Sequence, residues 1–317
     1  MMTVSRVLRG APDVADATRE RVFAIVDRVG YVPNQAAQSL VSRRSRIVAA
    51  VVPSIGNAMF AETLHGMSDV LRAEGYFLVV AHCGYSPREE HAVVKALLGQ
   101  RPCGMFLHNT VHRPETIDLL RKQRIPVIET GDLTARPIDS VVSYSNFRAG
   151  RAMTEHLVGR GYRRIAFASA LRRNNDRALE RRRGYHAALK AAGLRRDPSR
   201  EFEGDPDPVV GARLLHAILE RCPDVDAIFF ASERLAIGGY FEARRLGLAV
   251  PGRVAIAGFD FYEANSQVLP AAITTIVTPR HEIGVATARL IVERLRDGSD
   301  AAVTRDLGFE LAERGST

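Results

Sequence analysis

From Ile47 onward, short apolar runs alternate with longer stretches whose apolar residues recur at helical spacing, the pattern of a parallel sheet with crossover helices. Ile47 to Val52 is a continuous β-branched and alanine run that ends at Pro53. Phe60, Leu64, Met67 and Leu71 then keep helical spacing until Gly75 stops the helix. The same grammar predicts strands over 77–81, 104–107 and 126–129, with helices over 87–98 and 114–121 between them. A new phase begins with a strand over 141–143 and a long helix over 147–160, stopped at Gly161. Strands over 164–168, 227–230 and 254–257 follow, alternating with helices over 180–192, 209–221 and 235–246. The second half repeats the first, and no long Gly/Ser or Pro-rich linker separates them. The expected architecture is α/β: two similar lobes with parallel sheets joined by several short crossings. A ligand then sits between the lobes, at the carboxyl ends of the strands.

Residues 1–46 break this grammar. They are helical in propensity, arginine-rich and punctuated by Gly10, Pro12, Gly30 and Pro33, and they read as a separate small all-α module. Residues 18–29 form one amphipathic helix, with Val22, Ile25, Val26 and Val29 on one face; Asn34 caps or precedes a short second helix over 35–41.

Composition sharpens the picture in two places. The chain has 317 residues, 46% hydrophobic and 25% charged, which as a length prior suggests about two domains. The net charge is +8 and the pI about 9.8, but 41 Arg against 3 Lys points to genome composition, so the location of the charge matters more than its sum. Residues 1–46 hold 8 Arg against 4 Asp or Glu, a balance of +4, half of the total in a seventh of the chain. Cys83, Cys103 and Cys222 are odd in number and far apart, which argues for reduced, buried thiols over a disulfide framework or a metal site. Apolar runs fall short of the roughly 18 residues of a membrane helix and the first residues do not read as a signal sequence, so a cytoplasmic protein without membrane contact is expected.

Catalytic spacings are missing. The chain has no Walker loop, no GxGxxG and no Gly-x-Ser-x-Gly elbow. His108 and His112 are four apart, but Pro114 and the preceding strand place them on a loop, which argues against a metal pair. No enzyme, catalytic residue, cofactor or metal is expected. The Arg172-Arg173 and Arg181-Arg182-Arg183 clusters read as solvated surface, or at Arg181 as ligand-facing.

Thr3-Val4-Ser5-Arg6-Val7-Leu8 places hydroxyls and a guanidinium on one side of a short helix and Val4, Val7 and Leu8 on the other, which suits a helix lying in a DNA groove. A frayed amphipathic terminus is the simpler alternative. Its weight comes from order: this motif, then Thr18-Arg19 opening an amphipathic helix, then Gly30-Tyr31-Val32-Pro33-Asn34-Gln35-Ala36-Ala37-Gln38-Ser39-Leu40. That succession resembles the lactose-repressor family of bacterial transcription regulators, and the lobed pattern matches the family to about Phe309.

The resemblance implies a periplasmic-binding-protein-like effector domain preceded by a DNA-binding head. The head, 1–46, is a partial helix-turn-helix plus a hinge helix; the first lobe spans 47–143 plus about 277–297, and the second 144–276 plus about 298–317. Thr3, Val4, Ser5 and Arg6 belong to the recognition helix, and Leu40 is the apolar wedge in the minor groove, or else a domain-packing contact. Asn34 and Ala37 lie near the backbone or groove floor, and Arg43 with Arg44 and Arg46 faces phosphates. The implied partners are a pseudo-palindromic operator, a small sugar or sugar-acid effector and a second copy of the chain in a homodimer. Family members carry some 15 to 20 residues before the recognition helix. The expectation is either a start called late or a truncated protein; if the sequence is complete, Val4, Val7 and Leu8 lose most of their packing partners, and a loose head with weak operator binding is expected.

Predicted strand ends supply the effector contacts: Asn57 and Phe60, Ser145 and Asn146, Ser232 and Glu233, and Asp260. The resemblance makes Phe60 the ring against a sugar face, Arg181 the effector-binding arginine three before Gly184-Tyr185, and Asp260 the carboxylate that accepts ligand hydroxyls. The alternatives are a core Phe60, a solvated Arg181 and a helix-capping Asp260. Ser145-Asn146 stands where the family commonly shows Asp-Asn, and Ser232-Glu233 where it shows Asn-Asp. Losing the charge at 145 favours an anionic ligand if that position faces inward. Pro53-Ser54 with Asn57 and Phe60-Ala61-Glu62, Ala81-His82-Cys83-Gly84-Tyr85, and Asp306-Leu307-Gly308-Phe309 look most like the gluconate-utilisation repressor branch. Such a protein is a repressor of carbohydrate or sugar-acid genes controlled by an effector such as gluconate. The alternatives are a sugar-acid binder whose head does not bind DNA effectively, a transport-type sugar-binding protein, and an enzyme using the cleft.

Overall fold

The computed structural model describes residues 2–8, 13–30, 45–56, 58–171, 173–260 and 272–317. Asn34, Ala37, Leu40 and Arg43, the expected helix over 35–41, Asn57 and Arg172 lie outside the described residues, as do the side chains of Ser5 and Leu8. The chain divides into two compact units, residues 1–45 and 46–317.

In the first unit α1 (Met2–Leu8) touches α2 (Asp16–Arg28), and Val7 is buried while Val4 is exposed. α2 starts two residues before the expected Thr18, with Asp16 in its first turn, where a carboxylate meets the positive end of the helix dipole. Its end at Arg28 is followed by Gly30 at φ 61°, a left-handed conformation that glycine adopts without a Cβ clash. The expected apolar face is only partly covered: Val22 and Val26 are half-buried, whereas Ile25 and Val29 are exposed.

The second unit contains two six-stranded sheets. The first half of its chain runs β1 (Ile47–Val52), α3 (Ala58–Ala73), β2 (Phe77–His82), α4 (Pro87–Leu98), β3 (Gly104–Leu107), α5 (Pro114–Gln123), β4 (Val127–Glu129) and β5 (Ser140–Ser143). Then come α6 (Asn146–Gly159), β6 (Ile165–Ala170), α7 (Asp176–Ala191), β7 (Glu201–Gly204), α8 (Pro208–Arg221), β8 (Ala227–Phe230), α9 (Glu233–Arg245) and β9 (Ala255–Phe259). β10 (Thr274–Val277), α10 (Arg280–Asp297), β11 (Thr304–Asp306) and β12 (Glu310–Ala312) complete it. The sheet orders are β11-β5-β4-β3-β1-β2 and β12-β10-β9-β8-β6-β7, so the repeated sequence grammar becomes a repeated topology. In each sheet the order reverses beside the first strand of the lobe, which opens a crevice at the strands' carboxyl ends. β1 and β3 are buried on both faces, as expected of central parallel strands whose sequence is continuously apolar.

Three crossings join the lobes: β5 to α6, β10 to α10 and β11 to β12. After β5 the chain enters the second lobe as α6, which packs on α7; after β10 it returns as α10, which packs on α3. Ala288, Leu290, Ile291 and Val292 of α10 share a core with Val48, Ala50 and Phe60. The segment 298–317, expected wholly in the second lobe, is divided. Thr304 to Asp306 pair in parallel with Val141 to Ser143 in the first sheet, while Glu310 to Ala312 pair antiparallel with Thr275 to Val277 in the second. The second sheet is thus mixed at one edge. Short edge strands here are dictated by backbone partners more than by their own apolar content, and β7, β11 and β12 carry no sequence signal of the kind that marked β1.

Helix pairs cross at reciprocal glycines. A Cβ on Gly150 of α6 would run into the Arg181 backbone, and one on Gly184 of α7 into the Phe147 carbonyl. Gly66 of α3 and Gly284 of α10 meet the backbones of His281 and Thr63 in the same way. Backbone-to-backbone contact leaves no flexible side chain to give way. Gly184→Ala is expected to cost about 1–3 kcal/mol, as overpacking does, and to lower the thermal midpoint measured by calorimetry; an unchanged midpoint would show that α6 and α7 can separate freely.

Candidate functional site

The crossing from β5 to α6 builds the first half of the site. Ser145 is the N-cap of α6, its hydroxyl accepting from the Arg148 amide at 3.2 Å, which starts the helix at Asn146, one residue before the expected Phe147. Asn146 is buried and fully used. Its amide donates to Asp132 Oδ1 at 3.0 Å, its Nδ2 to the Gly131 carbonyl at 2.6 Å, and its Oδ1 accepts from Arg181 Nε at 2.8 Å. The Gly150–Gly184 crossing puts the backbone of Arg181 against α6 and so brings its guanidinium to this point. Arg181 Nη1 donates to the Ala231 carbonyl at 2.9 Å, its Nη2 lies 3.4 Å from Tyr144 Oη, and its guanidinium carbon stands 3.6 Å from the centre of the Phe259 ring.

Beyond Phe259, Asp260 takes φ 66°, a left-handed conformation that turns the chain out of β9. Its Oδ1 accepts from Thr278 Oγ1 and, at 2.8 Å, from Arg280 Nε, so the carboxylate spans the start of the β10–α10 crossing. Burial works against the charge of Arg280, but the Asp260 carboxylate outweighs it and holds the guanidinium's pKa above the ordinary value. Ser232 sits at the N-cap position of α9 without a side-chain capping bond, and Glu233 opens that helix; both are half-buried. Phe60 is buried in the first lobe's core, its ring edge-on to His108 at 4.6 Å. The structure therefore gathers Ser145, Arg181 and Asp260 around Tyr144 and Phe259, and places Phe60 behind His108. Of the flanking arginines, Arg182 reaches Glu201 and Arg183 pairs on the surface with Glu180 at 2.6 Å.

A second set of residues closes the lobes on each other. Asn175 caps α7 by accepting from the Ala178 amide at 3.3 Å, so α7 begins a turn before the expected residue 180 and carries Asp176 and Arg177 in its first turn. Asp176 Oδ2 accepts from Thr110 Oγ1 at 2.9 Å, and Arg177 Nη1 donates to the His108 carbonyl at 2.9 Å and to Asn109 Oδ1 at 3.0 Å. Arg177 is 4% exposed, and its Nη2 has no hydrogen-bond partner among the described residues. These contacts border a cavity of about 260 Å³ lined from the first lobe by Tyr85, Ser86, Pro87, Glu90, Asn109 and Val111, and from the second by Asn174, Asn175, Asp176 and Leu179. Asp132, Asp176 and Arg177 were missed in the sequence, although Asn174-Asn175-Asp176 is a helix-start signal.

Burial shifts the protonation of these groups. It pushes Asp132 up to about 6 against the hydrogen bonds from Asn146 and Leu133, and Tyr144 up to about 12. Burial alone would raise Asp176 too, but Arg177 and Thr110 prevail and hold it below its usual value. His108 is held neutral, well below 6.5, by burial and then by the Arg177 charge. Its Nδ1 lies 3.0 Å from Thr130 Oγ1. His112 goes the other way: burial lowers it, but Glu129 and Glu90 more than compensate and raise it to about 9. Nδ1 of His112 is 2.6 Å from Glu90 Oε1 and its Nε2 is 3.3 Å from Glu129 Oε1. Glu90 Oε2 in turn accepts from Asn109 Nδ2 at 2.8 Å, which links this buried triad to Arg177. The two loop histidines thus serve a polar network that reaches the cavity wall.

On the first unit, Thr3 and Val4 are exposed on α1 and Arg6 is ion-paired with Asp13. Residues 1–34 match the family described as bacterial regulatory proteins, lacI family, and residues 45–308 match the periplasmic binding proteins and sugar-binding domain of the LacI family. The chain belongs to the LacI family. Among its relatives, the HTH-type transcriptional regulator GntR of Escherichia coli strain K12 is 35% identical over 99% of this chain and 94% of that protein. A LacI-family transcriptional regulator from Silicibacter pomeroyi is 34% identical, superposes with a TM-score of 0.92 and covers 99% of this chain and 95% of its own. The transcription regulator GntR from Chromobacterium violaceum is 36% identical with a TM-score of 0.79, over 85% of this chain and 98% of its own. Among the described residues of this LacI-family chain, no helix is long and apolar enough to cross a membrane.

The His112 triad makes a prediction about pH. A histidine raised from 6.5 to about 9 in the folded state stabilises the fold fully below pH 6.5 and loses that contribution as pH rises toward 9. Thermal midpoints should fall across this window, and His112→Gln should lower the midpoint at pH 6 while flattening the decline. A decline of equal slope in the variant would assign the effect to other groups.

Proposed function

We propose that this LacI-family chain is a DNA-binding transcriptional repressor of carbohydrate or sugar-acid genes, controlled by a small acidic sugar such as gluconate bound between its lobes. The observation that carries the acidic effector is Arg177: a buried guanidinium with one nitrogen unpaired among the described residues, bonded to Asn109 and next in the chain to Asp176, two residues that line the cavity of about 260 Å³ between the lobes. Arg181 and Arg280 add positive charge. The name of the Escherichia coli relative and the exposed Thr3 and Val4 on α1 support the DNA-binding half of the reading.

Asn57, Phe60, Ser145, Ser232, Glu233 and Asp260 are proposed as further effector contacts from their places at strand ends and helix starts, and Arg181 from its place before Gly184-Tyr185; among the described residues, none of these lines the cavity next to Arg177. Thr3, Val4, Ser5, Arg6, Asn34, Ala37, Leu40 and Arg43 are the proposed DNA contacts. A pseudo-palindromic operator requires a twofold protein. β2 is an edge strand of the first sheet, and its exposed Phe77, Val79 and Val80 support pairing with a second copy. Effector binding changes lobe closure, and operator affinity shifts by the effector's differential affinity for the two states.

Titration calorimetry with gluconate, its keto and phosphorylated derivatives, and neutral hexoses tests the effector class, with a gel shift on operator DNA reading the response. An acid should bind, and Arg177→Ala should weaken it about 10- to 100-fold, the cost of a charged hydrogen bond. Tight binding of a neutral sugar alone would overturn the acidic reading, and ligand binding without any operator shift would overturn the repressor. Val80→Lys should drive sedimentation toward the monomer; an unchanged dimer would move the interface away from β2.

A further inference from the structure

We propose that His65, Asp69 and His281 form a binding site for a zinc-like divalent transition-metal ion that clamps the start of α10 to α3. His65 and Asp69 are four residues apart on α3 and therefore share a face. His281 lies in the first turn of α10, and the glycine crossing delivers it: Gly66 abuts the His281 backbone and Gly284 abuts that of Thr63. The rings of His65 and His281 stand 5.8 Å apart at 71°, and one ligand-capable atom from each of the three side chains lies within 4.8 Å of the others. His65 Nε2 is already 3.5 Å from Asp69 Oδ2. The other carboxylate oxygen, Oδ1, accepts from Arg72 Nη2 at 3.0 Å, which fixes the carboxylate's orientation and leaves Oδ2 turned to the histidines.

Donors in a tetrahedral zinc site lie roughly 3.4 Å from one another, given bond lengths near 2.0–2.2 Å, so small side-chain rotations complete this one. Two imidazoles with one carboxylate favour zinc, nickel or copper over calcium or magnesium, and three protein ligands leave one position for water or another donor. The site lies one residue beyond Arg280, whose guanidinium holds Asp260 of the second lobe. A metal there fixes the first-lobe end of the β10–α10 crossing. It stabilises the folded chain by mass action, because the unfolded chain holds no such arrangement.

The test uses untagged full-length protein stripped with EDTA. Zinc is titrated calorimetrically, visible absorption of added Co²⁺ reports coordination geometry, and thermal midpoints are read with and without zinc. The wild type should bind one equivalent and gain in midpoint. His65→Gln, His281→Gln and Asp69→Asn should each lose about tenfold or more in affinity and lose the midpoint gain, while their circular dichroism in EDTA stays that of the wild type. His216→Gln, which alters an exposed histidine paired with Glu242, should bind as the wild type does. The proposal is overturned if the wild type binds no zinc, or if His65→Gln and His281→Gln bind it undiminished.

Discussion

Arg181 carries a positive charge into a setting only 8% exposed, and the groups that meet it are neutral: Asn146 Oδ1, the Ala231 carbonyl, the Tyr144 hydroxyl and the face of Phe259. Burying a charge is costly unless every donor finds an acceptor in the right place. That requirement fixes the start of α6, the end of β8 and the end of β9 relative to one another. The glycine crossing of α6 and α7 exists on the same terms, because any side chain there would move the guanidinium away from its acceptors. Asn146 then passes the constraint to Asp132 through its backbone N–H and to Gly131 through its side-chain Nδ2, so this one residue helps register the wall of the first lobe against the second.

Lobe closure rests on a different layer of contacts. Thr110 with Asp176 and Arg177 with His108 and Asn109 are the bonds that span the cleft at the cavity, and they involve first-turn residues of α7 and the loop after β3. Behind that loop the charge of His112, held between two carboxylates, stiffens the residues that Arg177 grasps. A ligand able to satisfy Nη2 of Arg177, which has no hydrogen-bond partner among the described residues, would strengthen the closed arrangement without having to disturb Arg181.

Most of the fold was legible because its central strands are continuously apolar and its helices are amphipathic: β1, β2, β3, β8 and the helices between them other than α7 fall within a residue or two of where periodicity puts them. The edge strands other than β2 were not, because β7 reads Glu-Phe-Glu-Gly and β11 reads Thr-Arg-Asp, and such segments become strands only through a neighbour's backbone. The site was legible in part. Arg181 and Asp260 stand out by motif, but Arg177 looks like one more charge on a helix until the Asn175 cap moves the helix start and turns it toward the other lobe. His281 and His65 lie more than two hundred positions apart, and only the Gly66–Gly284 crossing makes them neighbours.

The interleaving of the lobes has a consequence for biosynthesis. β1 to β5 emerge first from the ribosome, yet their core needs Leu290 and Ile291 of α10, and the sheet lacks its last edge until β11 is made. Between Ser143 and Asp306 the chain must translate most of the second lobe, which at about 5–20 residues per second takes on the order of ten to thirty seconds. During that interval the apolar surface that α10 will cover is open, whereas the second lobe has strands β6 to β9 and helices α6 to α9 made by Phe259, before α10 begins at Arg280. The amino-terminal lobe is therefore completed late, and its exposed face is where a chaperone would have most to do.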